Sequence, residues 1–298
     1  MLEAPSEGEW GRAFMDADAG RIRAAGFSTV RLPVRFSAHA GTAPPYTIDP
    51  AFMARVRHVL QANLDAGLNV ILDLHHYEEL FADPDGHRER FAALWAQIAE
   101  EFADAPDNVW FELINEPNGQ LNDGNLLQVL TPALAEVRER NPTRPVVVGG
   151  QNWSGIDSLA TLPLPDDPYI VPTFHYYDPF EFTHQGAPWA VPSPPPTGRA
   201  FGTAQDSQQL ERALTKVTAF SENTGRVPFV GEYGAFNPIP LDQRASYYKT
   251  ITRAFASVGV QSCAWGFTNT FHLWEDDTGW IDEIIDQIAT TTTLPPNP

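Results

Sequence analysis

The sequence predicts a parallel (β/α)8 TIM barrel that apparently lacks its first β-strand. Short β-branched or apolar runs alternate with longer segments of helical periodicity, which is the pattern of a βα array. The chain opens on a loop and a helix, and it contains seven such runs and eight helical segments in all. The 298 residues also suit one barrel, which commonly uses about 250 residues.

The seven strands are predicted from short runs of apolar and β-branched residues. "NVILDL" and "NVWFELI" are examples. In chain order the runs cover residues 29–33, 69–74, 109–114, 145–149, 169–174, 228–231 and 260–265.

The helices are predicted where apolar residues recur at i, i+3, i+4 and i+7. One helix begins after Asp49 and Pro50, a pair typical of a helix start. Pro132 lies inside another, at 125–140, and predicts a kink or a late start there. In chain order the helices lie near residues 16–25, 52–60, 91–102, 125–140, 157, 210–217, 242–258 and 282–289.

The domain organisation expected is one catalytic barrel over residues 1–289, followed by a Thr/Pro-rich tail or linker over 290–298, "TTTTLPPNP". "MLEAPSEGEW" has neither the basic start nor the apolar run of a signal peptide. The single cysteine, Cys263, lies in an apolar run and is expected to be a buried thiol. We expect a monomer whose longer parent protein is secreted.

The charge of the chain excludes some classes of partner. There are 19 basic and 38 acidic residues, so the formal net charge is −19. This charge repels nucleic-acid phosphates and anionic membrane surfaces. No segment has the length of a membrane span. We therefore expect no nucleic acid and no membrane as partner.

Polar side chains lie at the end of nearly every predicted strand. In a barrel of this class the active site is built from the C-terminal strand ends and the loops after them. Any one of these residues alone has a structural explanation, but their convergence on one rim favours a site. They are Arg31, Arg35, His75, His76, Asn115, Glu116, Gln151, Asn152, His175, Tyr177, Glu232, Tyr233 and Trp265.

Two of the glutamates predict acid–base chemistry. Glu112 lies in mid-strand and is interpreted as part of the barrel wall, whereas Glu116 lies at the strand end. Pro117 is expected to hold Glu116 in an extended backbone. Glu232 ends a later strand, so the two carboxyl groups can lie about 5 Å apart, as in retaining glycosidases. We expect Glu232 to be the nucleophile and Glu116 the proton donor.

These residues carry a resemblance to a known family. "VRLPV", "DLHH", "INEP", "HYYDPF", "GEYG" and "AWGF" occur in the order found in glycoside hydrolase family 5, a retaining family of (β/α)8 barrels. The resemblance implies that Glu116 is the acid/base and Glu232 the nucleophile. It also implies that the other positions bind substrate or support the nucleophile. These are Arg31 beside the nucleophile, His75 in the sugar subsite, Asn115 on the 2-hydroxyl, His175 and Tyr177 flanking the nucleophile, and Trp265 under the sugar.

Further motifs resemble a bacterial branch of endo-β-1,4-glucanases, or cellulases, some of which also cleave β-mannans. These motifs are "EAPSEGEWG", "PYTID", "HHYEEL" and "FTHQGAPW". In that branch Glu3, Glu79 and Trp189 are expected near the substrate, and His76 near the sugar that differs between glucan and mannan. The resemblance thus implies hydrolysis of cellulose, carboxymethyl cellulose or mixed-linkage β-glucan without a cofactor or metal.

The sequence departs from the family pattern at two places. Relatives begin with a strand that ends in an asparagine just before "LEAP", and this chain starts at Met1. An open barrel would expose two strand edges. Gly266 stands where an acidic residue is expected after Trp265, so the subsite preference there can differ.

Three other functions remain open. The first is a β-mannanase or xyloglucanase of the same family. The second is a catalytically inactive barrel that binds carbohydrate. The third is a metal-dependent hydrolase with the ligands His75, His76, His175, Asp178 and Glu232. Against the third, neighbouring histidines on an extended strand are expected to face opposite ways.

Overall fold

Seven strands form one sheet in their order along the chain. The computed structural model describes residues 2–289, so the predicted tail over 290–298 lies outside the described residues. All seven predicted strands are confirmed, and no strand precedes the first among residues 2–28. The strands are β1 (Thr29–Val34), β2 (Asn69–Leu74), β3 (Val109–Glu112), β4 (Val146–Val148), β5 (Ile170–His175), β6 (Phe229–Tyr233) and β7 (Ser262–Ala264).

Helices separate these strands in sequence, which makes the chain an α/β protein of the (β/α)8 class. Each predicted helix is present, and the one near residue 157 is a 3₁₀ helix, Ile156–Ala160. The α-helices are α1 (Asp16–Ala24), α2 (Pro50–Asp65), α3 (Glu78–Ala82), α4 (Pro84–Glu101), α5 (Leu126–Arg140), α6 (Phe180–Thr183), α7 (Ala204–Thr224), α8 (Leu241–Ala256) and α9 (Asp282–Ile288).

Short elements were not predicted. They are the 3₁₀ helix Phe36–His39, the helices α3 and α6, and a two-stranded hairpin of β8 (Trp274–Glu275) and β9 (Gly279–Trp280). Elements of two to five residues contain too few positions to display a period of 2 or 3.6. Their formation depends on the contacts that their side chains make in the folded chain.

The described chain divides into two compact units. The first contains Ser28–Thr173 and the residues before Ala25, and it includes β1 to β4 and the first four residues of β5. Its strands pair in parallel, and the register places Asp73 beside Pro33 on one side and Glu112 on the other. Side chains from three neighbouring strands are therefore at one level of the sheet.

The second unit contains Ala25–Phe27 and the residues from Phe174 onward. Here β5 continues against β6, because the backbone N–H of Tyr176 donates to the carbonyl of Glu232 at 2.9 Å. The pairing of β6 with β7 is parallel and shifts register between Val230 and Tyr233. This irregularity lies directly beside Glu232.

Burial agrees with the predicted pattern at most positions. Apolar side chains of the strands and of the inward helix faces are buried, as Val56, Trp95 and Phe111 illustrate. The thiol predicted to be buried is an exception, since Cys263 is half-buried. No helix within residues 2–289 combines the length and the apolar character that a membrane span requires.

Candidate active site

A buried arginine organises the strand ends of the first unit. The guanidinium of Arg31 donates to both carboxylate oxygens of Glu112, from Nε at 2.6 Å and from Nη2 at 2.8 Å. Nη2 also donates to Oδ1 of Asn115 at 2.8 Å and lies 2.9 Å from Oδ2 of Asp73. This bidentate pair satisfies the carboxylate of Glu112 within a buried strand. The position of Glu112 agrees with its interpretation as part of the wall.

His75 and Asn115 complete this network. Nδ1 of His75 lies 2.5 Å from Oδ2 of Asp73, and Nε2 of His75 lies 3.3 Å from Nδ2 of Asn115. All three side chains are almost completely buried. Backbone hydrogen bonds from His75 to Val34 and from Asn115 to Leu74 hold both residues on the sheet. The first unit thus places two of the predicted sugar-binding residues in one rigid cluster.

The backbone at Glu116 differs from the prediction. An extended conformation was expected before Pro117, yet Glu116 has φ of 49°, in the left-handed region. The preference imposed by a following proline is therefore overridden here. A non-glycine residue in this region costs roughly 1–3 kcal/mol, and such strain clusters at functional sites. The carbonyl of Glu116 accepts a hydrogen bond from Nδ2 of Asn118 at 2.9 Å, which fixes the turn after the strand.

The electrostatics of Glu116 suit a proton donor. Burial raises the pKa of its carboxyl from 4.5 to about 7, the positive charge of Arg31 opposes this rise, and the negative charge of Glu112 adds to it. A carboxyl with this pKa remains substantially protonated near neutral pH and can give its proton to a leaving oxygen.

The pKa of Asp73 is also raised, to about 7. Burial is the main cause, the nearby charge of Arg31 lowers the pKa, and the charge of Glu116 raises it. Asp73 is completely buried, and it belongs to the same network as Arg31 and His75. Burial and neighbouring charges therefore raise the pKa of both Asp73 and Glu116 above its ordinary value.

His75 and His76 do not face opposite ways, so that expectation was wrong. His76 lies beyond the end of β2 with φ of 54°, and the two imidazole rings meet edge to face with centroids 4.2 Å apart. Burial lowers the pKa of His76 to about 2, helped by the electrostatic influence of His75, Arg35 and Arg31. His76 is therefore neutral in ordinary buffers. Both ring nitrogens of His75 already have hydrogen-bond partners. These partners, rather than the directions of the two rings, are the argument against a metal ion at His75.

A pocket of about 410 Å³ opens beside Glu116. His76, Glu78, Asn118 and Trp153 are among the residues that line it. The residues Asn152, Trp153 and Ser154 all have φ between 53° and 56°, a strained turn that leaves the Trp153 side chain 55% exposed. The backbone N–H of Trp153 donates to the carbonyl of Pro117 at 3.1 Å, which holds this turn against the segment after Glu116.

Trp153 and Glu78 are two of the pocket residues that were not predicted from the sequence. Gln151 and Asn152 were named after β4, but the adjacent Trp153 lines the pocket. Glu79 was predicted near substrate and is exposed on α3, whereas its neighbour Glu78 lines the pocket and pairs with Arg35 at 2.7 Å. For Trp153, the available signal in the sequence was a tryptophan shortly after the pair Gly149 and Gly150. No signal distinguished the two glutamates.

Glu3, another predicted contact, is 3% exposed in the loop before α1. The neighbouring residue Leu2 accepts a hydrogen bond through its carbonyl from the backbone N–H of Arg35 at 2.9 Å. That bond fixes the opening loop to the segment that follows β1. Glu3 is therefore a buried residue of the first unit.

The second unit holds the other predicted catalytic carboxylate. Glu232 is 4% exposed near the end of β6. The hydroxyl of Tyr177 donates to its Oε2 at 2.8 Å, and Nδ1 of His175 lies 3.6 Å from the same oxygen. His175 and Tyr177 thus flank Glu232, as the sequence predicted. A donor directed at Oε2 stabilises negative charge there and orients the carboxylate.

Trp265 follows β7 and is held by its backbone. Its N–H donates to the carbonyl of Tyr233 at 2.8 Å, and its carbonyl accepts from the hydroxyl of Tyr248 at 3.0 Å. A Cβ at Gly234 would lie 2.3 Å from that carbonyl, so only glycine fits there. A Cβ at Gly266 would lie 2.5 Å from the side chain of Asn269, so the acidic residue expected at 266 would have to displace Asn269.

Trp189, the last predicted contact, is 46% exposed in the second unit. Its ring meets Phe236 edge to face, with centroids 4.9 Å apart, and lies 6.3 Å from Phe271. The aromatic neighbours support part of the indole while nearly half of it faces solvent. This arrangement suits a platform for an apolar sugar face.

Comparisons with known proteins agree with this constellation. A family model described as Cellulase (glycosyl hydrolase family 5) matches residues 3–270. Endoglucanase H of Acetivibrio thermocellus is 34% identical over 99% of this chain, which spans 32% of the length of that relative. A xyloglucan-specific endo-β-1,4-glucanase, BoGH5A of Bacteroides ovatus, is 30% identical over 72% of this chain and 47% of its own length.

Solved structures also match nearly the whole of this chain. The crystal structure of Thermotoga maritima Cel5A in complex with mannotriose has a TM-score of 0.93 and 36% identity, covering 96% of this chain and 94% of that chain. A structure of the same protein with cellobiose matches with the same values. The family model, the fold and the order of the strand-end residues agree, and the chain belongs to glycosyl hydrolase family 5.

Proposed function

We propose that this chain is a retaining endo-glycosidase that hydrolyses β-1,4-glucans by double displacement. The observation that carries the proposal is the contrast between two carboxyl groups at strand ends, of which Glu116 is half-buried and Glu232 is buried. Burial raises the pKa of Glu116 to about 7, while Glu232 accepts a hydrogen bond from Tyr177 at 2.8 Å. One group is suited to give a proton and the other to attack as an anion.

In the first step, Glu232 attacks the anomeric carbon while Glu116 protonates the leaving oxygen. A glycosyl ester on Glu232 results. In the second step, Glu116 removes a proton from water, the water oxygen attacks the anomeric carbon, and the ester bond breaks. This mechanism requires the two carboxyl groups to lie about 5 Å apart. That separation stays a prediction.

The choice of polymer rests on the relatives. The name of Endoglucanase H supports a glucan as the first candidate. The polymers proposed are the β-1,4-glucans that the sequence motifs imply, which are cellulose, carboxymethyl cellulose and mixed-linkage glucan. The mannotriose and cellobiose complexes of Cel5A and the name of BoGH5A favour testing mannan and xyloglucan as alternatives. The hexose isomers differ in one hydroxyl, so discrimination depends on individual hydrogen bonds.

A substrate panel tests this function. We expect reducing ends to appear with carboxymethyl cellulose and mixed-linkage glucan, with the β-anomer of the product formed first in proton NMR spectra. The panel also includes xyloglucan, mannan and xylan. Initial formation of the α-anomer would contradict a retaining mechanism. Binding of glucan oligomers without release of reducing ends would instead favour the inactive, carbohydrate-binding alternative.

We propose further that the chain acts as a monomer outside the cell. A polymeric glucan cannot cross a membrane, so an enzyme that cleaves it inside its chain must meet it outside. Size-exclusion chromatography with light scattering tests the first point, since a monomer has a mass of 33.0 kDa.

The pocket geometry predicts a role for Trp153. Because the pocket adjoins the proposed proton donor, a sugar on the leaving side can stack on this exposed indole. We expect Trp153→Ala to lower kcat/KM for cellotetraose about 10-fold, mainly through KM, which corresponds to about 1.4 kcal/mol. Cellobiosyl fluoride has no leaving-side sugar and should be hydrolysed at the unchanged rate.

The control for Trp153 is Tyr169→Ala. Tyr169 is 40% exposed and lies outside the residues that line the pocket. Its removal should affect neither substrate. Equal losses on cellotetraose and cellobiosyl fluoride in Trp153→Ala would show that Trp153 does not act through the leaving-side sugar.

A further inference from the structure

We propose that Asp73 is a positioning residue that fixes the proton arrangement of His75 and, through it, the orientation of the Asn115 amide. The inference rests on the proposed function, because Asn115 is the group expected to bind a substrate hydroxyl. Arg31, Asn115, His75 and Asp73 form a closed ring of contacts on β1, β2 and the segment after β3.

The orientation of Asn115 follows from its contact with Arg31. A guanidinium donates hydrogen bonds and accepts none. The amide atom 2.8 Å from Nη2 of Arg31 must therefore be the oxygen, Oδ1. Arg31 cannot turn away, because Glu112 binds it through two further hydrogen bonds. The amide nitrogen, Nδ2, consequently faces His75.

The tautomer of His75 follows in turn. Nδ2 of Asn115 is only a donor, so Nε2 of His75, 3.3 Å away, must accept and carries no proton. The neutral ring then carries its proton on Nδ1, which donates to Oδ2 of Asp73 at 2.5 Å. Nη2 of Arg31 also lies 2.9 Å from this oxygen, as an ion pair. The ring therefore closes at Asp73, whose Oδ2 faces both the Nδ1–H of His75 and the guanidinium of Arg31.

With the Asp73 carboxyl ionised, this is the one proton arrangement in which no donor faces another. If His75 carried its proton on Nε2, two N–H groups would meet at Asn115, and the amide would have to turn over. Its NH₂ group would then face the guanidinium of Arg31. Each side chain of the ring is 3% exposed or less, so water does not compensate for a mismatch.

The consequence for substrate concerns the second N–H of the Asn115 amide. With Oδ1 bound to Arg31 and one Nδ2 hydrogen directed to His75, the other hydrogen has a fixed direction. We assign it to a substrate hydroxyl. Asp73 contributes to sugar binding without touching the sugar, in the way that carboxylates behind a ligating histidine fix its tautomer.

The first test measures the tautomer directly. Two-dimensional ¹H–¹⁵N spectra of the ¹⁵N-labelled chain at neutral pH should show His75 with a protonated Nδ1 and an unprotonated Nε2. Comparison with the His75→Gln variant assigns the signals. Protonation of Nε2 in the unmodified chain would overturn the proposal. This measurement needs no turnover, so it remains informative if the chain does not cleave glucan.

The second test is a double-mutant cycle between Asp73→Asn and Asn115→Ala. We expect Asp73→Asn to lower kcat/KM on cellotetraose about 10–100-fold, the range found for groups behind a functional histidine. In the Asn115→Ala background the same change should have almost no effect, because Asp73 acts through that amide. If the losses in kcat/KM of the two single variants multiply in the double variant, Asp73 has a merely structural role and the proposal is overturned.

Folding is controlled separately. Asp104→Asn, at an exposed position in the first unit, should leave kcat/KM and the melting temperature unchanged. If Asp73→Asn does not fold, the ¹⁵N spectrum of the unmodified chain still decides the proposal. If the unmodified chain folds and shows the expected tautomer but cleaves no glucan, the proposed function fails while the ring stands.

Discussion

Replacing Glu232 with glutamine is expected to abolish turnover, with a loss in kcat on the order of 10⁴-fold or more. An amide cannot form the glycosyl ester, although it occupies nearly the same volume and can still accept a hydrogen bond from Tyr177. The fold and the affinity for cellotetraose should therefore be largely retained. Initial rates on carboxymethyl cellulose, isothermal titration with cellotetraose and thermal unfolding measure the three quantities.

The matched control is Glu222→Gln, an exposed position on α7 that should leave turnover unchanged. Glu232→Ala adds a diagnostic product. With azide as external nucleophile and cellobiosyl fluoride of the α configuration as donor, the space left by the carboxylate should allow formation of a β-linked product. Near-normal activity of Glu232→Gln would rule out this residue as the nucleophile.

Replacing Glu116 with alanine should have an effect that depends on the leaving group. Cellotetraose needs a proton on its leaving oxygen, so kcat/KM should fall about 10²–10⁴-fold. The dinitrophenolate group of a dinitrophenyl cellobioside leaves without that proton, so formation of the glycosyl ester should remain close to the normal rate. Azide should then intercept the ester and give the β-glycosyl azide, because no general base is needed. Equal losses on both substrates would contradict the acid/base role.

The pH profile provides an independent measurement of the same residue. The pKa of Glu116 is raised from 4.5 to about 7, mainly by burial. Its proton is needed in the first step and is lost as the pH rises through this value. The kcat/KM for cellotetraose should therefore fall above about pH 7, and kcat/KM of Glu116→Gln, measured with the dinitrophenyl substrate, should lack this decline. An unchanged decline would assign it to another group.

Most of the fold could be predicted from local patterns. The strand β2 was predicted at its observed bounds. The helix α2, with its recognisable start at Asp49, was predicted near residues 52–60 and extends over Pro50–Asp65. The short helix α3 and the hairpin of β8 and β9 were missed. They are too short for periodicity to distinguish them from loops.

The candidate site was predicted to the level of residue types at strand ends. Residue types at strand ends were enough to predict that His175 and Tyr177 lie beside the carboxylate of Glu232. They were not enough to predict the backbone of Glu116 and His76, because the left-handed conformation of both residues depends on the surrounding structure. A local proline rule predicted the opposite at Glu116.

The parallel α/β class, the approximate position of each strand and the two glutamates proposed to be catalytic could all be predicted from the sequence. These features follow from hydrophobic period and from residue type, which are local properties of the chain. The folded chain alone shows that Glu112 pairs with Arg31, that Asp73 and Glu116 have a raised pKa, and which groups lie beside the two nitrogens of His75. Those outcomes depend on burial and on contacts between distant segments, such as the 81 positions that separate Arg31 from Glu112.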